Sequence, residues 1–312
     1  MQSFIISLNA VFPIAMMILL GILLKKYHFV SESTFSEINR FVFTFCLPVT
    51  LFLNIAETDL SDHSNMNMVL FCIIVDLILA FLSILCMKKV NLPSAKKGVL
   101  VQDFVRTNIV ILGLPIAQSI YGADKVGVTS ILIAWIVPTT NLLAVLVLEH
   151  YSDRKANLKG TIISILKNPL IIGALIGLCS KMSGLKVPTF AMNSLKMLNQ
   201  ISTPLALIAL GGLFRFSSLK ENAKILVIFD VIKMFILPSI IIGLAVLFGF
   251  RGVPLISIVI FFAGPAAVSS YSMAVQMGAD GELAAQLVVV TTLTVIFSLM
   301  VLLTILGNLG LM

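Results

Sequence analysis

Apolar residues arrive along this chain in long blocks rather than in stripes. Ile5 to Leu24, Val69 to Met87, Ile225 to Phe248 and Leu283 to Leu306 each reach or approach the ~20 residues a helix needs to cross a bilayer. Most blocks are apolar on every face and lack the polar stripe of a helix on a soluble protein. Polar breaks divide the chain into ten candidate spans: 4–24, 38–56, 67–87, 98–121, 127–149, 161–180, 195–214, 223–249, 253–277 and 283–308. The connections are short, and Tyr151 to Gly160 forms a modest polar linker between two halves. The expected fold class is an all-α polytopic membrane protein of ten transmembrane helices.

Composition agrees with that pattern. The chain is 59% hydrophobic and 11% charged, where a soluble domain carries about 25% charged residues. The first block has only Met1, Gln2 and Ser3 ahead of it. Without a basic n-region it reads as a span, not a cleaved leader. The net charge of +7 could point to nucleic acid, but its distribution gives a topology signal instead. The odd-numbered connections hold Lys25, Lys26, Lys88, Lys89, Lys96, Lys97, Arg154, Lys155, Lys159, Lys167, Arg215, Lys220 and Lys224. The even-numbered ones hold only Lys125, Lys181, Lys186, Lys196 and Arg251, and the second is acidic, with Glu57, Asp59 and Asp62. Because basic residues collect on the cytoplasmic side, both termini are expected outside the cytoplasm of a cell-membrane protein. No nucleic-acid partner is expected. Cys46, Cys72, Cys86 and Cys179 fall inside apolar spans without CxxC spacing and read as buried free thiols. His28, His63 and His150 lie far apart, so no metal or other cofactor is expected.

A single offset of 156 residues superposes several landmarks: Pro13 on Pro169, Gly21 on Gly177, Pro48 on Pro204, and Gly122-Ala123-Asp124 on Gly278-Ala279-Asp280. The matches occupy the same positions in paired spans. They divide the chain into repeats 1–150 and 151–312, each of five spans. Five is odd, so the second repeat enters the membrane from the opposite side. Inverted repeats are common in transporters, although channels use them too.

The fourth and ninth spans are poor continuous lipid-facing helices. Asp103, Arg106 and Asn108 lie inside the fourth, and Gly264-Pro265 sits in the middle of the ninth. A charge at a helix centre costs about 2.5–3.5 kcal/mol on the insertion scale, so these side chains must face protein or water. Proline removes a helical hydrogen bond and clashes with the preceding turn. The offset sets Asn108-Ile109 opposite Gly264-Pro265. Helices broken at matching midplane positions point to a transporter's binding site. The freed N–H groups opening each second half-helix favour an anion, especially a carboxylate. Two merely kinked helices are the plainer alternative.

These residues carry a resemblance. Arg106-Thr107-Asn108, Gly113-Leu114-Pro115 and Tyr121-Gly122 resemble the R-x-N…G-[IL]-P…Y-G pattern of the auxin efflux carrier family, best known from the plant PIN-FORMED exporters. Asn168-Pro169, Thr203-Pro204 with Leu210-Gly211, and Gly264-Pro265 before Gly278-Ala279-Asp280 extend it over nearly the whole chain. Without the long central loop of many plant members, the chain resembles the short prokaryotic type. The departures are Ile109 after Asn108, and no proline before Asn108. The resemblance implies crossed, broken fourth and ninth helices. It implies a scaffold of helices 1, 2, 6 and 7, with helices 3–5 and 8–10 moving as a transport unit. The implied substrates are organic anions such as malate or auxin-like acids, taken by elevator-type alternating access.

The substrate-binding set expected at the crossover is Asn108 with Arg106, Thr107 and Ile109, facing Gly264, Pro265 and Ala266. Arg106 has two readings, contact with a second carboxylate or a salt bridge to Asp103 three residues earlier. Asp76, Asp103 and Asp230 are the proton-coupling candidates, with Asp230 also placed to pair with Lys233. Asp76 has no evident partner on its own helix. Asn54, Asn141, Ser269, Ser270, Thr291 and Thr292 either line a cavity or join helices. The leading function is a secondary active carrier of organic anions. A sodium- or proton-coupled carrier of another solute is the alternative within transport. A sensor would need a soluble output domain. An enzyme would need an HExxH, a Ser/His/Asp set or paired membrane aspartates, and the chain shows none of them; nor does it show a Walker A motif. The expected partners are the anion and the lipid bilayer, and a homodimer is compatible with the sequence.

Overall fold

The computed structural model describes residues 2–57, 65–122, 126–152, 163, 165–183, 187–216 and 218–312, and these are helical with no strand. The helices are α1 (Gln2–Lys26), α2 (Glu32–Ala56), α3 (Met66–Lys89), α4 (Ser94–Val105), α5 (Ile109–Tyr121) and α6 (Val126–His150). After them come α7 (Pro169–Ser183), α8 (Thr189–Leu213), α9 (Leu219–Leu247), α10 (Gly252–Phe262), α11 (Val268–Gln276) and α12 (Gly281–Asn308). Among the described residues, α2, α3, α6, α9 and α12 are long and apolar enough to cross a membrane, and α7 and α10 are shorter apolar helices. Arg154, Lys155, Lys159, Lys125, Lys186, Asp59, Asp62, His63, Ala123 and Asp124 lie outside the described residues, as does most of the Tyr151–Gly160 linker.

The outer surface shows why the chain belongs in lipid. On α3, Leu70, Ile74, Leu77, Ile78, Phe81 and Leu82 are exposed, while Asp76, Ala80 and Ser83 face inward. That polarity is the reverse of a soluble helix. Burying Asp76 and exposing leucine is favourable only where the solvent is apolar. Cys86 and Cys179 share this outer surface, contrary to the expectation of buried thiols, whereas Cys46 and Cys72 are buried. An apolar exterior gives a thiol no reason to point inward.

Helix boundaries moved where local chemistry decided them. The second span begins at Glu32, six residues before its hydrophobic block, because Ser31 accepts from the Thr34 N–H as an N-cap. The sixth begins at Pro169, a residue type suited to the first helical turn. In α2 and α9 a π-turn, Val42–Cys46 and Ile232–Ile236, directly precedes Leu47-Pro48 and Leu237-Pro238. Proline cannot donate to the carbonyl four residues back and crowds it, and the wider turn absorbs that misfit. Leu47 N–H bonds Val42 O and Leu237 N–H bonds Ile232 O, each five residues back.

Among the described residues two helix pairs make the most extensive contact, α1 with α8 and the second half of α2 with α7. Glycine permits both. A Cβ on Gly21 would collide with Ile208 O, and one on Gly211 with Ile18 O. Gly173 lies against the Pro48 backbone in the same way, and a Cβ on Gly177 would meet Phe52 O at 3.0 Å.

Candidate functional site

The fourth and ninth spans are both interrupted. α4 ends at Val105 and α5 starts at Ile109, while α10 ends at Phe262 and α11 starts at Val268. The intervening segments run extended past each other and meet in an isolated antiparallel bridge between Thr107 and Ala266. Asn108 N–H donates to Pro265 O at 2.9 Å, and Ala266 N–H donates to Thr291 Oγ1 of α12 at 3.0 Å. The second segment therefore supplies a partner for Asn108 N–H, and α12 supplies one for Ala266 N–H, as buried backbone requires. No proline precedes Asn108, and α4 nonetheless breaks there. In a continuous helix Asn108 N–H would bond the carbonyl of Phe104; here Pro265 takes it.

A cavity of about 200 Å³ opens beside this crossing. Arg106, Thr107, Asn108 and Val110 line it from one break, and Ala267, Val268 and Ser269 from the other. Val137, Thr140 and Asn141 of α6 complete that side, facing Leu47, Thr50, Leu51 and Asn54 of α2 and Asn199, Ser202, Thr203 and Ala206 of α8. Arg106, Thr107 and Asn108 of the expected set thus reach the cavity, with Asn54, Asn141 and Ser269. Ile109, Gly264, Pro265 and Ala266 are buried behind the lining and form the crossing itself. Ser270, Thr291 and Thr292 are also outside the lining, Thr291 being engaged with Ala266. Thr50, Asn199, Ser202 and Thr203 escaped sequence reasoning because isolated hydroxyls and amides in apolar helices usually join helices. Thr50 does donate to Asn199 Oδ1 at 2.6 Å, and only the fold shows that this pair also faces the cavity.

The electrostatics suit an anion. Arg106 is the one charged side chain among the residues lining the cavity. Its guanidinium donates to Asn141 Oδ1 at 2.6 Å, Ser269 Oγ at 2.6 Å and the Met273 sulfur. The Asn108 amide Nδ2 is buried and has no acceptor among the described residues, so it is a donor open to one. Asn108 and Ala267 are the N-cap residues of α5 and α11, and neither caps its helix with a side chain. Ser270 N–H turns back to Ala267 O, and with no side-chain cap at either half-helix the N-terminal dipoles suit an anion.

Two expected ion pairs do not form. Arg106 lies beyond the end of α4 with extended backbone, φ −121 and ψ 119, so the i,i+3 geometry with Asp103 is lost, and its bonds go to Asn141 and Ser269. Asp230 and Lys233 are likewise separated, because Lys233 sits inside the π-turn, whose wider pitch takes it off the face of Asp230. Asp230 neighbours Thr294 instead. Lys233 reaches across to α4, donating to Phe104 O at 3.1 Å, and its field acts on both Asp76 and Asp103. Lys233 makes no ion pair with Asp76, whose carboxylate oxygens have no hydrogen-bond partner among the described residues. Ser270 lies close to Asp103 but outside hydrogen-bond geometry.

An apolar-surfaced helical bundle with a polar cavity at two crossed helix breaks defines the class, a multi-pass α-helical membrane transporter. The chain belongs to the membrane transport protein family, the family of the auxin efflux carriers, matching it over residues 6–159 and 152–303. It is 24% identical over 301 residues to an uncharacterized transporter of Methanothermobacter thermautotrophicus, covering 94% of this chain and 96% of that one. It is 23% identical over 305 residues to an uncharacterized transporter of Methanocaldococcus jannaschii, covering 95% and 96%. Family and relatives are transporters, not enzymes.

Proposed function

We propose that this protein is a secondary active transporter of organic anions, carboxylates such as malate or auxin-like acids, working by elevator-type alternating access. The observation that carries the reading is the convergence on one cavity of the Asn108 amide without an acceptor, the Arg106 guanidinium and two uncapped half-helix N-termini. Such donors stabilise a carboxylate and give a cation nothing to bind. In this reading the chain has ten spans, with inverted repeats 1–150 and 151–312 and both termini outside the cytoplasm of the cell membrane. The glycine-tight pairs α1–α8 and α2–α7 belong to the scaffold of helices 1, 2, 6 and 7, where Gly21 and Gly177 correspond at the 156-residue offset. The transport unit carries the crossing past that scaffold, so the α2 and α8 side of the cavity is the static wall. Asp76, Asp103 and Asp230, all buried, are the coupling candidates. A sodium- or proton-coupled carrier of another solute remains the alternative, favoured by those same buried carboxylates.

Uptake of labelled malate, other dicarboxylates and aromatic monocarboxylates into liposomes holding the purified protein tests the reading. A charge-assisted hydrogen bond contributes about 1.5–3 kcal/mol. Asn108→Ala is therefore expected to weaken every transported acid by roughly 10- to 150-fold. Arg106→Gln is expected to weaken dicarboxylates more than monocarboxylates. Equal loss for both classes in Arg106→Gln would reduce Arg106 to its contacts with Asn141 and Ser269. Unimpaired transport by Asn108→Ala would place the site away from the crossing and sink the proposal.

A further inference from the structure

The helices α6 and α7 make little direct contact, and a second cavity of about 390 Å³ lies between them and α2. Short side chains, Ala134 on α6 and Ala174 on α7, leave the space. Leu51 and Asn141 line both this cavity and the polar one, so the two are neighbours. Leu142, Leu175 and Leu178 line it too and are exposed on the outer surface of the bundle. The cavity is therefore continuous with the surface that meets lipid.

Its lining is apolar apart from a few groups, and most of those are engaged. Asn141 Nδ2 donates to Val137 O at 2.7 Å, its Oδ1 accepts from Arg106, and Thr139 Oγ1 donates to Trp135 O at 2.8 Å. Trp135 Nε1 is different: it is buried and has no acceptor among the described residues. An indole N–H in such a place ordinarily finds a partner. Water is a poor one, because a buried water needs two to four polar neighbours. Lys181, in the last turn of α7, is the one charged side chain lining the cavity. Both groups lie toward one face of the molecule. Asn168 Nδ2 meets the Met277 sulfur at 3.6 Å, Asp280 N–H bonds Ala95 O, and Gly98 lies against Tyr151. The start of α7 and the end of α6 thus share a face, which leaves Trp135, in the first half of α6, and Lys181 toward the opposite one. Gly173 against Pro48 and Gly177 against Phe52 show α7 running in step with α2, which brings Lys181 level with Ala56, where α2 ends.

We propose that this cavity is a binding site for an anionic phospholipid, with one acyl chain inside it, an ester carbonyl accepting from Trp135 and the phosphate at Lys181. A lipid is the occupant that brings all three chemistries at once: an apolar chain, a carbonyl acceptor just beneath the headgroup, and a negative charge at the end of a helix where a lysine reaches the interface. The site would hold its lipid whatever solute the neighbouring polar cavity carries, and its test reads lipid contact rather than uptake.

Trp135 is the one tryptophan of the chain, so its fluorescence reports on this cavity alone. The experiment is quenching of that fluorescence by mid-chain brominated lipids, which act at contact range. The purified protein is placed in phosphatidylcholine vesicles in which brominated phosphatidylglycerol or brominated phosphatidylcholine replaces a rising fraction of the lipid. Wild-type protein is expected to be quenched by both, with phosphatidylglycerol about five-fold more effective, the preference one lysine near the headgroups confers. Lys181→Gln is expected to bring the two curves together, and Lys181→Arg to keep them apart. The side chain is half-buried at a helix end, so both variants should fold. Ala174→Phe fills the cavity and is expected to weaken quenching by either lipid. Equal quenching of the wild type by the two lipids would overturn the proposal, reducing the cavity to ordinary bilayer contact. So would no quenching by either, or a preference for phosphatidylglycerol that survives Lys181→Gln.

Discussion

At the scale of single residues, the crossing depends on polar groups placed where apolar ones would fit the helix pattern better. Thr291 accepts from Ala266 N–H and donates to Leu287 O, joining the second break to α12. Thr291→Val keeps the shape and removes the acceptor, leaving a buried N–H without a partner. A loss of about 1–3 kcal/mol is expected, read as a lower unfolding temperature, with Thr291→Ser close to wild type. An unchanged Thr291→Val would mean that Ala266 N–H finds another acceptor and that the crossing is held by the Asn108–Pro265 bond alone. Arg106 shows the same dependence from another side. Its charge was legible in the sequence, but its partners were not, because Asn141, Ser269 and Met273 are 35, 163 and 167 residues away.

At the scale of elements, glycine decides which helices can touch. Gly211 on α8 lies against the backbone of Ile18 and Gly21 on α1 against that of Ile208, so neither neighbour can rotate aside. Gly211→Val is expected to destabilise by about 1–3 kcal/mol or more, and transport, if measured, should fall with it. Gly243 on α9 has nothing within 4 Å of the position a Cβ would take. Gly243→Ala should leave stability unchanged or raise it by about 0.5–1 kcal/mol, measured in the same unfolding assay. Equal effects at both positions would remove close helix approach as the reason for Gly211. The π-turns belong to this scale as well. Pro48 and Pro238 announced a disturbance in the sequence, yet whether the helix kinks, ends or widens is settled by what packs around it.

At the scale of the whole molecule, the orientation proposed for the chain follows from the basic residues of the odd-numbered connections. In a background with all four cysteines replaced, Asn91→Cys, in the exposed connection after α3, should react with a membrane-impermeant thiol reagent only when the cytoplasmic face is opened. Glu57→Cys, exposed just after α2, should react in intact cells. The opposite pattern would invert the topology. Reaction of both from one side would break the five-span repeat on which the scaffold and transport-unit division rests.

The sequence by itself determined the solvent and the helices. Long apolar blocks leave a chain no choice but lipid, and in lipid a backbone satisfies itself by forming helices. It also located both breaks, because a charge or a Gly-Pro pair in an apolar span is a local anomaly, visible without the fold. Tertiary structure alone decided which breaks meet, that Asn108 faces a cavity while Ile109, Gly264, Pro265 and Ala266 lie behind it, and that Lys233 turns from Asp230, three residues away, to Phe104, 129 residues away. A hydrogen bond or a shared cavity is a relation between distant segments. Its energy depends on distance and direction after packing, and composition, periodicity and spacing along the chain carry neither.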